Sequence, residues 1–366
     1  ENSLVFKTSA LKIGNAELEA GTYVHGLLSD REFADMQIKP TAMVQKYDSE
    51  STLLSIFASI MKATLLIQKY FKEEKGTDVE VSHLVNQVKW DLTLLLPPKQ
   101  VNEGLKTLVN SLVKNFNIDF LLPKAKSSIV IDRVSVQAEG VMAYTAVLIK
   151  KSNYQPRQNM LFMRESNVLI IDIGAGTTDI VLIQNGVPIE NSKHTINFGG
   201  NNIKNKLKQK INAKLGTRLP DEFYEEASIN GKIKQGLKET DVKTELDVSK
   251  REVSQLISGE IQDYLEATNI QLQIVQHILV VGGGSMTNAG GITPISEYIL
   301  KGLKRYAPNV QLVDIKDITE EDGLSLESTK SDKVSPRELN VVGAGVKLDL
   351  EEIKAHHLAK KAQTQQ

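Results

Sequence analysis

The segment 170–181 carries residue types suited to phosphate chemistry. Its apolar beginning predicts a buried strand that ends beside Asp172, and a second apolar run follows from Asp179. Between the two runs lie two glycines and two hydroxyl side chains: Gly174, Gly176, Thr177 and Thr178. Glycines let the backbone turn and approach a phosphate closely, and the hydroxyls and backbone N–H groups can donate hydrogen bonds to its oxygens. A tight turn with an incidental Asp is the alternative, but the Thr-Thr-Asp sequence and the flanking strands favour a phosphate-binding hairpin.

Two further glycine segments could hold other parts of a nucleotide. The apolar run 277–281 predicts a buried strand, after which a flat ring or a sugar could lie against bare backbone. This strand is followed by four small residues: Gly282, Gly283, Gly284 and Ser285. Gly199 and Gly200 stand at the start of a predicted helix, whose exposed N–H groups favour an anion. Each segment, taken alone, is also compatible with a simple turn.

A fourth segment places polar groups at the head of an apolar helix. Residues 136–150 are apolar at helical spacing, and Gln137 and Glu139 supply one amide and one carboxylate at the start. Such groups at a helix start could serve chemistry or simply face solvent. The residues alone leave both interpretations open.

Several kinds of site are excluded by residue type or spacing. The sequence contains no Gly-x-x-x-x-Gly-Lys-Ser/Thr, which excludes a P-loop NTPase. With no cysteine there is no thiol nucleophile, no thiolate metal site and no disulfide framework, so we expect a cytoplasmic location. The six histidines show no metal-ligand spacing and predict no zinc site. They are His25, His83, His194, His277, His356 and His357.

Length and charge limit the function classes further. The chain has 366 residues, of which 41% are apolar and 24% are charged. This length and composition are sufficient for two domains, each with its own hydrophobic core. Lys and Arg total 44 against 45 for Asp and Glu, and this net charge of −1 lacks the basic excess of proteins that wrap nucleic acid. The predicted helix 201–215 is rich in lysine and could touch DNA or a neighbouring subunit, although its opposite apolar stripe favours a solvated face.

In the first half of the chain, short β-type runs over 4–24 predict hairpins at a sheet edge. The segment 51–68 imitates a membrane span, but Lys62 at its middle and five hydroxyl side chains favour a buried helix. We expect this helix to run to about Phe71. Three further elements are predicted: a strand ending at 96, a helix over 101–115 and a strand over 128–134.

Strands and helices alternate in the second half, which is the order of an α/β domain. Asn185-Gly186 is a strong hairpin signal and predicts a third strand over 187–196, after those at 168–173 and 179–184. The other predicted elements are helices over 201–215 and 253–270, helices that begin at Pro294 and Pro336, and a polar surface loop over 315–332.

In this order the segments resemble the nucleotide-binding apparatus of the actin, heat-shock chaperone and sugar kinase superfamily. Residues 172–179 resemble its second phosphate loop, 282–284 its adenosine motif and 136–146 its first connecting helix. Residues 340–345, Asn-Val-Val-Gly-Ala-Gly, resemble the short motif of its last conserved helix. Within this superfamily the chain is most similar to bacterial plasmid-segregating actins of the ParM and StbA type. The features that carry this resemblance are the modest length, the lack of a recognisable sugar-binding signature and the Lys-Tyr-Asp sequence at 46–48.

The resemblance implies an actin-like fold, in which two RNase H-like α/β domains with smaller subdomains flank a nucleotide cleft. The first domain would comprise residues 1–150 and 335–366, and the second residues 151–334. Relatives begin with a β-hairpin that holds a first Asp-x-Gly phosphate loop, and no Asp-x-Gly precedes Asp172. Because the chain begins at Glu1 and not at Met, we expect this first hairpin to be missing from it. If the natural protein also lacks this hairpin, its hydrolysis of nucleotide is in doubt.

The same resemblance implies roles for individual residues. Asp172 would ligate Mg²⁺ through water, and Glu139 would orient the attacking water, with Gln137 as the fallback. The residues expected around the β- and γ-phosphates are Gly174, Gly176, Thr177 and Thr178. Those expected to frame ribose and adenine are Gly199, Gly200, Gly282, Gly283, Gly284 and Ser285, with Lys234 beside the base.

The implied function is that of a filament-forming ATPase, which binds ATP or GTP with Mg²⁺, polymerises, and hydrolyses the nucleotide within the filament. Its expected partners are further copies of itself and a DNA-binding adaptor that links the filament to a plasmid, without direct nucleic acid or membrane binding. The alternatives are a chaperone or reactivating ATPase, a small-molecule kinase and a membrane-tethered division actin. The short polar tail after the last core helix provides neither a chaperone's substrate domain nor a convincing anchor, and no kinase-type catalytic Asp is identified.

Overall fold

The computed structural model describes residues 3–8, 11–13, 16–18, 21–26, 46–81, 83–84, 88–122, 124–235, 238–285, 293–315 and 338–364. The chain forms two compact units. Unit 1 comprises residues 1–96 and 100–137, and unit 2 comprises residues 97–99 and 138–366. The helix start predicted at Pro336 and the loop predicted over 315–332, apart from Ile315, lie outside the described residues.

Unit 1 contains a mostly antiparallel sheet. Its strands are β1 (Ser3–Thr8), β4 (Gly21–Gly26), β5 (Lys89–Leu96), β6 (Asn115–Leu122) and β7 (Lys124–Ala138). They are arranged in the order β4-β1-β6-β7-β5, and a separate hairpin pairs β2 (Leu11–Ile13) with β3 (Ala16–Leu18). The hairpins predicted over residues 4–24 are confirmed, with β4 at the sheet edge, whereas β6 was not predicted.

The long apolar segment forms a helix, α1 (Glu50–Lys75), that packs into the core of unit 1. Ser49 caps its start by accepting a hydrogen bond from the Thr52 N–H, and Gly76 ends it in the left-handed conformation. Three of its side chains are fully buried: Leu53, Phe57 and Met61. Among the described residues, this is the one helix long and apolar enough to cross a membrane, a test that core helices also pass.

A buried tyrosine joins the start of α1 to the next helix, α2 (Val101–Leu112). Tyr47 lies in the short helix Lys46–Asp48, and its hydroxyl donates a hydrogen bond to Glu103 Oε2 over 3.0 Å. Burial, together with this carboxylate, raises the pKa of Tyr47 to about 12. The Lys-Tyr-Asp sequence before the long helix therefore makes a packing contact within unit 1.

The sheet of unit 2 is built around the hairpin of β8 (Asn167–Ile173) and β9 (Thr178–Gln184). β14 (His277–Val281) lies parallel to β8, and β15 (Gln311–Leu312) lies parallel to β14. The strands predicted over 168–173, 179–184 and 277–281 are therefore confirmed, because each is a local apolar run bounded by turn residues.

The strand predicted over 187–196 is interrupted. β10 (Val187–Pro188) and β11 (His194–Ile196) both pair with β9, and a short 3-10 helix separates them. The Ser192 hydroxyl donates to the Ile189 carbonyl over 2.6 Å and accepts from the Leu182 N–H over 2.8 Å. This bond from β9 to a side chain replaces a strand-to-strand bond, which explains the break.

The helices of unit 2 are α3 (Val141–Leu148), α4 (Phe162–Glu165), α5 (Gly200–Leu215), α6 (Asp221–Asn230), α7 (Lys243–Ala267), α8 (Ile295–Leu303) and α9 (Leu339–Thr364). A hairpin of β12 (Lys232–Gln235) and β13 (Lys238–Asp241) stands outside the main sheet. The helix predicted from residue 136 begins only at Val141, because β7 continues to Ala138. The helix α7 begins before the predicted start at 253, and α6 and the β12–β13 hairpin were not predicted.

The helices α3 and α9 pack on each other and on the central strands of unit 2. Their shared core includes Ala143, Val147 and Leu339 together with Ile170 of β8 and Leu279 of β14. Both helices therefore belong to unit 2 by their contacts. The sequence predicted a domain boundary at residue 150 and placed 335–366 in the first domain. The division by contacts instead falls after residue 137 and places 335–366 in unit 2.

The lysines of helix α5 form ion pairs with acidic residues of the neighbouring helices. Glu252 of α7 accepts from both Lys206 and Lys210, at 3.1 and 2.9 Å. The remaining pairs are Lys204 with Glu225, Lys208 with Asp221 and Lys214 with Glu245. The lysine side chains of α5 are thus used within unit 2, which favours the interpretation without DNA contact.

Candidate nucleotide-binding site

The β8–β9 hairpin places the candidate phosphate loop at the end of a buried strand. The residues from Val168 to Ile173 are all buried. Asp172 lies opposite Asp179 across the two strands and is only 7% exposed. A hydrogen bond of 2.8 Å from the Gly174 N–H to the Thr177 carbonyl closes the loop between the strands.

Three consecutive backbone donors in this loop are available to a ligand. Within the part of the chain that the structure describes, the N–H groups of Ala175, Gly176 and Thr177 make no hydrogen bond to the protein. Ala175 is exposed, and the other two residues are partly exposed. Successive free N–H groups in a tight turn form a concavity that binds anions. The loop therefore offers the donors that the sequence predicted for a phosphate.

Two side chains after the loop hold it in place. Thr178 is fully buried, and its hydroxyl donates to the Phe198 carbonyl over 2.7 Å. The Thr195 hydroxyl of β11 donates to Asp179 Oδ1 over 2.5 Å. The hydroxyl of Thr178, which the sequence placed near the phosphates, is thus engaged with backbone. Thr195 was not among the predicted residues.

The start of α5 lies directly against the loop. The Gly200 N–H donates to the Gly174 carbonyl over 2.9 Å, and the Asn201 N–H donates to the Ala175 carbonyl over 2.7 Å. A Cβ atom at Gly199 would lie 2.7 Å from the Gly174 oxygen, so a glycine is required for this approach. These helix-start N–H groups, which the sequence offered to an anion, position the phosphate loop.

The glycine run after β14 packs against Asp172 and the loop. Gly282 has a φ of +89°, and a Cβ atom there would collide with the Asp172 carboxylate and with the Ile173 backbone. A Cβ atom at Gly284 would lie 2.8 Å from the Gly174 oxygen and 2.6 Å from Ile173 Cγ2. Bare backbone therefore lets β14, the loop and the start of α5 meet.

Asp172 is held by an asparagine from the start of α9. Asn340 Nδ2 donates to Asp172 Oδ2 over 2.5 Å. Its Oδ1 accepts from the Gly140 N–H over 2.7 Å and from the Ala143 N–H over 3.1 Å. Asn340 is 8% exposed, so this network is almost entirely removed from water. The carboxylate is connected in this way to the start of α3.

Glu139 lies in an unusual turn between β7 and α3. Gly140 has a φ of +75° and a ψ of −53°, and the Val141 N–H donates to the Glu139 carbonyl over 2.9 Å. This is a γ-turn, a rare and strained conformation that glycine adopts most easily. A Cβ atom at Gly140 would also lie 3.2 Å from Ile170 Cγ2. The partly exposed Glu139 is thus held at a defined point of the backbone.

The remaining predicted residues lie in different places. Gly283 and Ser285 belong to the short helix that directly follows Gly282. Gln137 belongs to unit 1. Lys234 is exposed on β12, opposite Glu239 and in a sheet separate from the loop.

Sequence reasoning missed the role of Asn340. Its position within the motif 340–345 was a signal, but Asn340 and Asp172 are 168 residues apart in the chain. No local pattern predicts a hydrogen bond over that separation.

The residues around the loop fit magnesium held together with phosphate. Among the described residues, no group of three or more His, Asp or Glu side chains could hold a metal ion on its own. Mg²⁺ usually keeps several waters and takes one or two carboxylates together with substrate phosphates. The buried Asp172 carboxylate lies next to a loop whose N–H groups at 175–177 make no hydrogen bond within the described part of the chain, and this arrangement fits that mode of binding.

Comparison with known proteins agrees with this geometry. Residues 170–288 match the family described as "Archaeal actin homologue MreB-like, C-terminal". This segment includes the phosphate loop, the start of α5 and the glycine run. A search of the curated proteins finds no match.

Solved structures match over most of the chain. The actin-like protein Alp7A is 16% identical with a TM-score of 0.63, over 98% of this chain and 85% of its own. A 15-stranded ParM filament from Clostridium botulinum is 18% identical with a TM-score of 0.53, over 93% of this chain and 83% of its own. Bacillus thuringiensis ParM with ATP is 17% identical with a TM-score of 0.53, over 95% and 86%.

These likenesses concern the fold, because the identities are low while the coverage is nearly complete. The expectation of an actin-like α/β fold is confirmed. The chain therefore has the actin-like fold that Alp7A and the ParM proteins share.

Proposed function

We propose that this protein is a filament-forming ATPase of the ParM type. It binds ATP or GTP with Mg²⁺, assembles with further copies of itself, and hydrolyses the nucleotide within the filament. The observation that carries the proposal is the loop 174–177, beside a buried aspartate, where three successive N–H groups have no hydrogen-bond partner among the described residues. Such a loop suits the phosphates of a nucleotide better than it suits a neutral ligand.

The phosphate end of the site would be held by the β8–β9 loop. In phosphoryl transfer the protein mainly positions groups and stabilises charge. Gly174, Gly176 and Thr177 would surround the β- and γ-phosphates, with Thr178 supporting the loop through its bond to the Phe198 carbonyl. When bound, Mg²⁺ would neutralise phosphate charge, and Asp172 would hold it through water. Glu139 would orient the attacking water from its strained turn, with Gln137 as the fallback.

The adenosine end would lie against the glycine segments. A flat ring or a sugar would lie against the glycine backbone on the sides that do not pack on the loop or on Asp172. The residues assigned to ribose and adenine are Gly199, Gly200, Gly282, Gly283, Gly284 and Ser285, with Lys234 beside the base. GTP remains the second choice of nucleotide.

The cellular role would be plasmid segregation in the cytoplasm, through an adaptor that binds DNA. A balanced net charge of −1 supports an indirect link to DNA, because direct wrapping needs an excess of basic residues. The paired lysines of α5 support the same conclusion. The absence of cysteine from the sequence fits a reducing compartment.

The proposal is tested by 90° light scattering with phosphate release followed in the same sample after Mg-ATP is added. We expect scattering to rise before phosphate appears and to decay later, because hydrolysis weakens the filament. Phosphate release with flat scattering over a wide range of protein concentration would indicate a chaperone or kinase class of ATPase. The absence of both a scattering rise and phosphate release would overturn the proposal.

Two variants separate the site from general damage. Asp172→Asn removes the charge proposed to hold Mg²⁺ and should abolish both signals. Asp263→Asn makes the same chemical change at an exposed position of α7 and should leave both signals intact. Equal effects of the two substitutions would contradict the assignment of Asp172.

A further inference from the structure

Asn340 joins three elements of unit 2 through one side-chain amide. Its Nδ2 donates to Asp172 Oδ2 at the end of β8, over 2.5 Å. Its Oδ1 accepts from the Gly140 N–H in the turn before α3, and from the Ala143 N–H within α3, over 2.7 and 3.1 Å. Asn340 itself is the second residue of α9. A single buried group therefore connects β8, α3 and α9.

The partners determine which residue type can fill this position. A carboxylate that holds Mg²⁺ accepts hydrogen bonds, whereas backbone N–H groups can only donate them. An amide carries an acceptor and a donor on one carbon, so it satisfies both kinds of partner at once. The same requirement assigns the oxygen and the nitrogen of Asn340, because the reverse orientation would place donors against donors. A smaller side chain would leave buried polar groups unsatisfied.

The bond to Gly140 acts on the backbone that carries Glu139. The turn at Gly140 is a strained γ-turn, and such conformations persist where the surrounding structure over-determines them. Two bonds define this turn: the Val141 N–H donates to the Glu139 carbonyl, and the Gly140 N–H donates to Asn340. The position of the Glu139 backbone therefore depends on the asparagine.

We propose that Asn340 is a positioning residue that keeps the Asp172 carboxylate and the Glu139 turn in one fixed arrangement. It acts through its hydrogen bonds to the Asp172 carboxylate and to the Gly140 N–H. This inference rests on the proposed function, in which Asp172 holds Mg²⁺ through water and Glu139 orients the attacking water. Outer residues that orient a metal-binding group are worth about 10–100-fold in metal affinity or activity.

The test compares Asn340→Ala with wild type by kcat, KM and the Mg²⁺ concentration that gives half-maximal binding of a fluorescent ATP analogue. We expect kcat to fall about 10–100-fold and the Mg²⁺ requirement to rise about tenfold. The KM for ATP should change much less, because the loop N–H groups that bind the phosphates remain. The Asn340→Ser side chain can hydrogen-bond to one kind of partner at a time, so its kcat and Mg²⁺ requirement should lie between those of wild type and Asn340→Ala. If Asn340→Ala does not fold, the comparison of Asn340→Ser with wild type decides the test.

A control removes an asparagine of structural importance elsewhere in unit 2. Asn212 Oδ1 accepts a hydrogen bond from the Tyr224 hydroxyl over 2.5 Å. Both residues are distant in sequence from the phosphate loop. Asn212→Ala should lower the melting temperature without changing kcat or the Mg²⁺ requirement. Asn340→Ala that behaves in the same way would overturn the inference, because its role would then be structural only.

A double-substitution cycle tests the route through Glu139. If Asn340 acts on catalysis by way of Glu139, adding Asn340→Ala to Glu139→Gln should lower kcat much less than Asn340→Ala does in wild type. Full additivity would overturn that part of the inference. If wild type binds no nucleotide analogue, the proposed function fails and this inference fails with it. An active wild type with a normal Asn340→Ala variant overturns the inference alone.

Discussion

At the scale of single residues, the candidate site is made mainly of backbone. Gly199, Gly282 and Gly284 each lie where a Cβ atom would meet another segment at under 3 Å. The phosphate loop contributes three N–H groups, and the described side chains around it mostly hold other protein groups. Sequence reasoning located these glycines, because a glycine at the end of an apolar strand or at the start of a helix is a local signal. Their mutual contacts could not be predicted, because the segments are distant in the chain.

A glycine pair tests whether close backbone packing matters for binding. Gly284→Ala would push a methyl group against the Gly174 carbonyl, and overpacking of this kind costs about 1–3 kcal/mol. We expect the affinity for a fluorescent ATP analogue to fall by about tenfold or more. Gly259→Ala in α7 meets no atom within 4 Å and should leave affinity unchanged. Similar affinities of the two variants would contradict the packing argument.

A buried lysine outside the site gives a pH-dependent contribution to stability. Lys250 is 3% exposed, and its Nζ has no hydrogen-bond partner among the described residues. Burial lowers the pKa of Lys250 from 10.5 to about 8, although the charge of Asp247 opposes this shift. Because the folded pKa is the lower one, the unfolded state binds more protons between pH 8 and 10.5. The stability contribution of Lys250 should therefore rise with pH across this window.

Lys250→Met removes that charge and reveals the effect in urea unfolding. At pH 7 we expect the variant to be more stable than wild type by about 1–3 kcal/mol, because the buried charge is no longer present. The difference should shrink as the pH approaches 10, where the wild-type lysine is largely neutral in the folded state. Lys301→Met, at an exposed position of α8, is the control and should show no such trend. A difference for Lys250→Met that does not vary with pH would count against the lowered pKa.

At the scale of elements, local sequence patterns predicted the central strands, whereas other boundaries and interruptions depended on features that these patterns do not report. The strands β8, β9 and β14 were predicted because each is an apolar run between turn residues. The start of α3 was placed too early, because Val136 and Ala138, two apolar residues separated by one polar residue, also suit the end of β7. The interruption between β10 and β11 depends on hydrogen bonds made by Ser192, which no periodicity reports.

The crossing of α3 and α9 is expected to depend on one glycine. A Cβ atom at Gly343 would overlap the Met142 carbonyl and lie 3.1 Å from the Ala146 nitrogen. Gly343→Ala should therefore force the helices apart and lower the free energy of unfolding by about 1–3 kcal/mol. Gly345→Ala, in the same helix with no atom within 4 Å, should raise it by up to about 1 kcal/mol through helix propensity. Denaturant unfolding of both variants measures this, and a neutral Gly343→Ala would refute the close crossing.

At the scale of the whole molecule, positive and negative charges are balanced, and the lysine-rich helix α5 is paired with acidic residues. The net charge is −1, and the lysines of α5 contact acidic residues of α6 and α7. Non-specific DNA binding requires lysine and arginine that can replace counterions on the phosphates. An adaptor, and not this chain, would then have to recognise DNA.

Fluorescence anisotropy with a labelled duplex measures this expectation. We expect the dissociation constant of the wild-type protein at physiological salt to exceed about 100 µM. Replacing the acidic partners through Asp221→Asn, Glu225→Gln and Glu252→Gln releases most of the α5 lysines and should create binding that weakens as salt increases. Tight, strongly salt-dependent binding by wild type would show that the chain contacts DNA directly.

The sequence by itself determined the strand, glycine and threonine pattern of the phosphate loop and the α/β order of the second half. These features depend on residues that are neighbours in the chain, so periodicity and turn chemistry report them. Only the tertiary structure decided what surrounds Asp172. Gly282 meets its carboxylate and Asn340 donates to it because the parallel pairing of β8 with β14 and the packing of α3 on α9 bring distant segments together. A hydrogen bond between residues 168 positions apart is a property of that packing and cannot be predicted from local sequence.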